Sequence, residues 1–450
     1  MTECTADGIG FSGHGRRRVE ADFQGGAITS DAGGLLLREA DRRLKLTERL
    51  AACLSDPRDP ARIVHEQVTM LRQRVLGISL GYEDLNDHAS LRDDPVMKLL
   101  GGVDASGEAM ASSPTLCRLE NRADRASMWR MAEALVDTFI ASHKGRGDAA
   151  PEELVLDLDA TDDPVHGQQE GRFFHGYYDG YCFLPLYVFC GEKLLAAYLR
   201  PSNIDASRHA WAILSLLVKK LRAAWPTVRI VVRADSGFCR WRMLRWCENH
   251  GVLYIVGLAR NSRLRELAAP WMERAEAAYL RDKGKHREFG EVAYAAATWD
   301  TQRRVIVKAE HLPGQGEQDK ANTRFVVTNL EGDPKDLYDR RYCARGEMEN
   351  RIKEQQLGLF ADRTSCHRFM ANQFRVLLSA AAYVLVEHVR HAALHGTDLA
   401  KAQVTRLRLD LFKIGARVVV SARRIVLHLA GACPSREVFR LAAQRLLAPT

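Results

Sequence analysis

The stretch Leu154-Val-Leu-Asp-Leu-Asp159 constrains this chain more than any other. It alternates, so as a strand it carries Leu154, Leu156 and Leu158 on one face and Val155, Asp157 and Asp159 on the other. A strand this apolar belongs inside a sheet, where a carboxylate is costly unless a cation or a hydrogen-bonding partner meets it. The two acids therefore call for a bound metal or a basic neighbour. The plainer alternative is that they cap the strand end or pair with a nearby arginine.

The flanking pattern gives this strand a setting. Apolar runs at 183–189 and 193–199 follow it. Then come an amphipathic helix at 208–225 ended by Pro226, a strand at 229–234, a helix at 240–250 and a strand at 252–257. Three strands, helix, strand, helix, strand is the order of a ribonuclease-H-like α/β core. Short β runs at 292–296, 304–307 and 324–328 predict a β-rich insertion, and helices at 339–356 and 369–389 close the core. Residues 30–143 read as helical. The expected division is a helical N-terminal DNA-binding or dimerisation region at 1–150, with a loose basic arm at 1–20. The core takes 151–262 and 336–395, the insertion 263–335, and a C-terminal hairpin and helix 396–450. A soft boundary, rich in glycine and charge, falls at 144–151.

A second acid, Asp235, lies just past the strand at 229–234, where open α/β sheets place their ligands. Followed by Ser236-Gly237 it also reads as an ordinary helix cap. A third, Glu349, belongs to the helix after the insertion. At about 100° per residue, Tyr342, Arg345, Glu349, Lys353 and Gln356 share one face, while Glu347 and Glu354 point away. Ordinary i,i+4 pairing of Arg345 with Glu349 and of Glu349 with Lys353 is the plainer account of that face. Asp, Asp and Glu over such a core could share two hard divalent cations for an in-line attack on a phosphodiester.

Composition is compatible with that chemistry. The 450 residues carry 65 Lys and Arg against 57 Asp and Glu, for a net charge of +8, which favours a polyanionic partner. Residues 200–245 alone hold ten Lys/Arg and two Asp. Ten scattered cysteines without C-x-x-C read as reduced cytosolic thiols. The longest charge-free stretch, 180–191, is too short for a membrane span, and no leader is visible at the start. The expectation is a soluble cytoplasmic protein, associated with the nucleoid if bacterial, with no membrane and no nucleotide cofactor.

Asp159-Ala-Thr161, Val231-Val-Arg-Ala-Asp235-Ser-Gly-Phe238 and Tyr342-x-x-Arg345-x-x-x-Glu349-Asn-Arg-Ile-Lys353 together resemble the DDE transposases of bacterial insertion sequences. The likeness is strongest to the 1380 group, through Asp22-Phe23, Ile28-Thr-Ser-Asp31-Ala-Gly-Gly34, His166-Gly-Gln-Gln-Glu170-Gly171 and Arg200-Pro-Ser-Asn203 as well. It runs from about residue 16 to 445. The resemblance implies a transposase that binds terminal inverted repeats, hydrolyses phosphodiester bonds and joins 3′-OH ends to target DNA, acting as a homodimer on double-stranded DNA. Asp159, Asp235 and Glu349 would hold two Mg²⁺, with Mn²⁺ able to substitute. Tyr342 and Arg345 would contact the phosphates of the transposon end near the cut; Lys353, Arg233, His166 and Arg118 are further candidate DNA contacts of this sequence. The larger class usually carries a Lys at the place of Gln356, a role Lys353 could fill, and Asp157 is a rival for the first acid.

Other signals weigh less. Gly8-x-Gly10-x-x-Gly13 follows no strand and precedes Arg16-Arg-Arg18, which argues against a dinucleotide loop. Asp162, Asp163, His166 and His175 read as a turn near the strand rather than a metal cluster. Residues 113–122, with Arg118, fit a recognition helix as well as a plain surface helix. Trp271 and Trp299 read as core ahead of a base-stacking role. A catalytically silent DNA-binding protein and a stand-alone nuclease are the rival readings.

Overall fold

The computed structural model describes residues 8–144, 150–313 and 320–449, in two compact units. One comprises Asn121–Val384; the other joins Met1–Glu120 to Leu385–Pro449. The break thus falls at 120/121 rather than near 150, and most of the predicted boundary at 144–151 lies outside the described residues.

The first unit is built on an eight-stranded sheet. Its strands are β1 (Glu153–Ala160), β2 (Leu186–Cys190), β3 (Lys193–Tyr198), β4 (Arg229–Ala234), β5 (Leu253–Leu258), β6 (His286–Tyr294), β7 (Arg303–Leu312) and β8 (Lys320–Thr328). They lie in the order β6-β7-β8-β5-β4-β1-β2-β3. β4 runs parallel to both β1 and β5, and the other pairings are antiparallel. The expected separate insertion is therefore a helix and three strands that extend the same sheet. β8 pairs with β5 through Gly257↔Val326 and covers what would otherwise be an open edge.

Both faces of the sheet are buried, which is why these strands read as apolar runs. On one face Leu156, Leu158, Ile230, Val232, Val305 and Val307 pack with helices α1 (Arg125–Lys144), α2 (Ala210–Ala224), α3 (Trp241–Asn249) and α4 (Ser262–Asp282). α1 supplies Val136, Phe139 and Ile140 to this core, so it belongs with the sheet. Trp271 and Trp299 pack against the same core, as expected of core residues. Gly290 makes room for the first: a Cβ there would fall 2.0 Å from the Trp271 ring. On the other face Val231, Ile255, Ile306 and Val326 meet Leu337 and Tyr338.

Those last two residues belong to a continuous helical stretch that begins at the cap Asp333, whose carboxylate accepts from the backbone N–H groups of Lys335 and Asp336. The stretch is not uniform. A π turn at Leu337–Tyr342 and a 3₁₀ turn at Cys343–Arg345 lead into α5 (Gly346–Lys353), and a second π turn follows at Glu354–Gly358. A further helix, Phe369–Ala393, is long and apolar enough to cross a membrane, yet 78% of its most apolar window is buried in the protein.

In the second unit, helices Gly34–Leu44, Gln67–Leu80 and Pro95–Gly101 pack around Leu36, Leu37, Leu71 and Val75. Arg74 and Glu120 form a buried ion pair at 2.9 Å. The expected loose arm is a hairpin, Ile9–His14 with Arg17–Ala21, exposed throughout. The predicted C-terminal hairpin is present as Ala416–Ser421 with Arg424–Leu429. It does not stand alone, because Ala416↔Thr29 and Arg417↔Ile28 join it to the N-terminal segment.

Candidate active site

The parallel register of β1 and β4 builds the centre of the site. Asp157 pairs with Arg233 and Leu158 with Ala234, so Asp159 and Asp235 emerge level with each other on the same face. Adjacent strands lie about 4.8 Å apart, which makes two residues far apart in sequence immediate neighbours.

The two acids of β1 have different fates. Asp157 is gripped by Arg233, with Nε against Oδ1 and Nη2 donating to Oδ2 at 2.7 Å, while Nη1 donates to the Arg341 carbonyl at 2.6 Å. The side chains are only 4% and 12% exposed. Burial pushes the Asp157 carboxyl up, against the hydrogen bond and charge of Arg233. Arg233 is thus the buried partner of Asp157 and not the DNA contact expected of it. Asp157 has both oxygens bound by Arg233 and is 4% exposed, whereas Asp159, at 15%, is the more accessible of the two acids.

Burial pushes the Asp159 carboxyl up to about 6; the Arg345 charge opposes that shift and the Asp235 charge adds to it. Asp235 caps the turn that follows β4, accepting from the Gly237 N–H at 2.9 Å. Arg345 then ties the third acid to the first: Nη1 donates to Asp159 at 3.0 Å and Nη2 to Glu349 at 3.2 Å. Burial works against the Arg345 charge, but Asp159, Asp235 and Glu349 around it push its pKa up. The structure thus brings Asp159, Asp235, Arg345 and Glu349 together.

Tyr342 closes one side. Its hydroxyl lies over Gly257 of β5, where a Cβ would come within 2.6 Å of it and 2.9 Å of the Ser236 nitrogen. Burial raises the Tyr342 hydroxyl, with Arg345 opposing and Asp235 adding. Gly257 is not among the residues that the motifs single out, although a glycine near the end of an apolar strand does signal close approach. Lys353 is exposed, whereas the second π turn carries Gln356 inward to donate to the Asp162 carbonyl at 2.8 Å. The uniform helical face expected over 342–356 therefore ends at Lys353.

No contact joins the remaining candidate of this unit, His166, to these acids among the described residues. His166 is exposed, and Asp163 is buried with its carboxyl held well above the usual range by burial. Arg118 is an exposed residue of helix Ser113–Asn121 in which its guanidinium donates to Thr115 at 3.0 Å. Among the described residues no three acid, His or Cys side chains form a compact metal cluster. The donor set nonetheless suits a hard divalent ion: Asp159 and Asp235 offer carboxylate oxygens side by side, and their mutual repulsion is what a cation relieves. Glu349 reaches the pair through Arg345.

The family whose profile matches is transposase DDE domain group 1, over residues 11–449. Among solved structures the chain is similar to the cryo-EM structure of the piggyBac transposase synaptic complex with hairpin DNA. That similarity has 11% identity and a TM-score of 0.40, covering 94% of this chain and 83% of that one. No curated protein matches the chain. With a profile match over nearly its whole length, the chain belongs to the DDE transposases, as a member of transposase DDE domain group 1.

Proposed function

We propose that this transposase binds the terminal inverted repeats of its element, cleaves a phosphodiester bond at each end and joins the freed 3′-OH groups to target DNA. The observation that carries the reading is the strand register that sets Asp235 beside Asp159, with Arg345 bridging to Glu349. The strand order β3-β2-β1-β4-β5, with β4 parallel to both β1 and β5, supports a ribonuclease-H-like core. Two divalent cations, Mg²⁺ or in its place Mn²⁺, held by Asp159, Asp235 and Glu349, would activate water or a 3′-OH and stabilise the leaving oxygen.

The chain's own side chains orient the substrate. Arg345, already among the acids, is placed to meet a phosphate next to them, and Lys353 extends positive charge along the exposed side of α5. Tyr342 packs between Gly257 and Arg345 and fixes the start of that helix. Arg118 and His166 are exposed positions for further DNA contacts. Catalysis belongs to Asn121–Val384, and end recognition to the other unit. Two ends must be paired, so a homodimer forms on the DNA.

The test is a plasmid carrying the gene with its native flanks, incubated with the protein and Mg²⁺, Mn²⁺ or Ca²⁺, with every cut mapped. Metal-dependent cuts at both flanks, lost in Glu349→Gln, are expected. Flank binding without cutting in any metal would instead mark a silent DNA-binding protein.

A further inference from the structure

We infer that the C-terminal ribbon, Ala416–Ser421 with Arg424–Leu429, is a DNA-binding element that lies in the major groove of a duplex. The inference rests on the proposed function only in taking DNA as the partner; it concerns a surface remote in sequence from the acids.

The ribbon has two unlike faces. Ala416, Val418, Leu427 and Leu429 turn inward, towards Ala32, Ile414 and Phe439. The rungs Arg417↔His428, Val419↔Val426 and Ser421↔Arg424 turn outward. Residues 415–430 contain three arginines, one histidine and no acid. Several other exposed arginines of this unit have carboxylate partners: Arg42 pairs with Glu39, Arg406 with Asp410, Arg436 and Arg440 with Glu437. Arg417, Arg423 and Arg424 make no side-chain hydrogen bond or ion pair among the described residues. Three unpaired cations on one short ribbon carry a repulsion that a polyanion removes.

Shape agrees with charge. A major groove about 12 Å wide admits a two-stranded ribbon; beyond Val418, where the pairing with Ile28–Thr29 has ended, the hairpin is two-stranded, and the outward Val419 and Val426 offer apolar contact to thymine methyl groups. The tip is open on its inner side as well, over a cavity of about 670 Å³ lined by Leu35, Val420, Ile425 and Phe439 among others. Residues 421–424 are all exposed, although they share that cavity with Glu39 and Asp104. The rival occupant is a second copy of the chain, paired along the edge strand Arg424–Leu429. It is disfavoured because each copy brings the same arginines and no acid to meet them.

The test uses the full chain carrying Glu349→Gln, with metal chelated, so that binding is read apart from cutting. Fluorescence anisotropy with a short duplex taken from the gene's flank compares this parent with Arg417→Ala/Arg423→Ala/Arg424→Ala and with Arg423→Ala alone. Circular dichroism and elution volume report fold and assembly. The expected result is at least about ten-fold weaker binding by the triple variant, with a salt dependence shallower by about 2 to 3 in log–log slope. Methylation of guanine N7, in the major groove, should interfere with binding by the parent and not by the triple variant. Arg423→Ala, at the exposed turn, should show a partial loss even if the triple variant misfolds.

Unchanged affinity and slope, or identical N7 interference in parent and variant, would overturn the inference. A changed elution volume with unchanged duplex binding would assign the ribbon to contact between copies instead. If the wild type binds the duplex through the ribbon yet cuts nothing in any metal, the transposition reading fails and the ribbon stands.

Discussion

The division of labour between Asp157 and Asp159 can be tested by breaking the pair beneath the site. Arg233→Met removes the cation that faces Asp157 and leaves a carboxylate that is 4% exposed. Stranding one partner of a buried pair costs about 3–5 kcal/mol. There is an escape, since Asp157 can take up a proton. From its ordinary value of 3.8, staying neutral at pH 7 costs about 4 kcal/mol, so the two routes agree in size. The variant's folded Asp157 then has a raised pKa. Its penalty is therefore absent below pH 4 and grows by about 1.4 kcal/mol for each pH unit above it. Adding Asp157→Leu should recover most of the loss, because paired replacement by apolar groups is often neutral. All seven tryptophans lie within Asn121–Val384, so denaturation followed by tryptophan fluorescence reports this unit alone. At pH 7 the single variant should be less stable by about 3–4 kcal/mol, at pH 5 by clearly less, and the double variant close to wild type. The double variant should still cut DNA, whereas Asp159→Asn should not. A pH-independent penalty would refute the electrostatic account. Loss of cutting in a stably folded double variant would return Asp157 to candidacy as the first acid.

Three further outcomes follow from the geometry. Gly257→Ala sets a methyl against the Tyr342 hydroxyl and the Ser236 nitrogen; overpacking of about 1–3 kcal/mol should appear as lost cutting, and adding Tyr342→Phe should rescue little because the backbone contact remains. Lys353→Ala should lower the salt slope of DNA binding by about one, whereas Gln356→Ala, which loses only the bond to the Asp162 carbonyl, should leave it unchanged. Burial, with the Arg74 charge, pushes the His88 imidazole down to about 3. The unfolded chain takes up a proton near pH 6.5 that the folded state refuses, so this contribution is complete above 6.5 and falls by about 1.4 kcal/mol per unit as the pH drops towards 3. Hydrogen exchange in helix Gln67–Leu80 should show that slope, and His88→Gln should flatten it.

How far the chain's organisation could be read in advance depended on whether a property was local. Alternation put Asp157 and Asp159 on one face, and the strand-helix-strand succession placed Asp235 at a strand end. Both are properties of neighbouring residues. Which acid meets Asp235 is not local. It is set by the register Leu158↔Ala234 between strands 76 positions apart. Had β4 slipped by two residues towards its amino end, Asp157 would stand level with Asp235, and the sequence of either strand would be unchanged. The same register places Arg233 opposite Asp157, so the step that brings Asp159 to Asp235 also neutralises the rival acid. The strands at 292–296, 304–307 and 324–328 were legible as apolar runs, but that they extend the main sheet is not local either: it is set by the pairing Gly257↔Val326 between distant strands. The helix bearing Glu349 failed only at its ends. Its face holds through α5, but π turns are not predicted by a 3.6-residue period, and the one at Glu354–Gly358 turns Gln356 away from Glu349 and towards Asp162. A cation two turns beyond Glu349 would be carried inward by that same turn, so the exposed positive charge on this stretch of helix comes to rest one turn earlier, at Lys353.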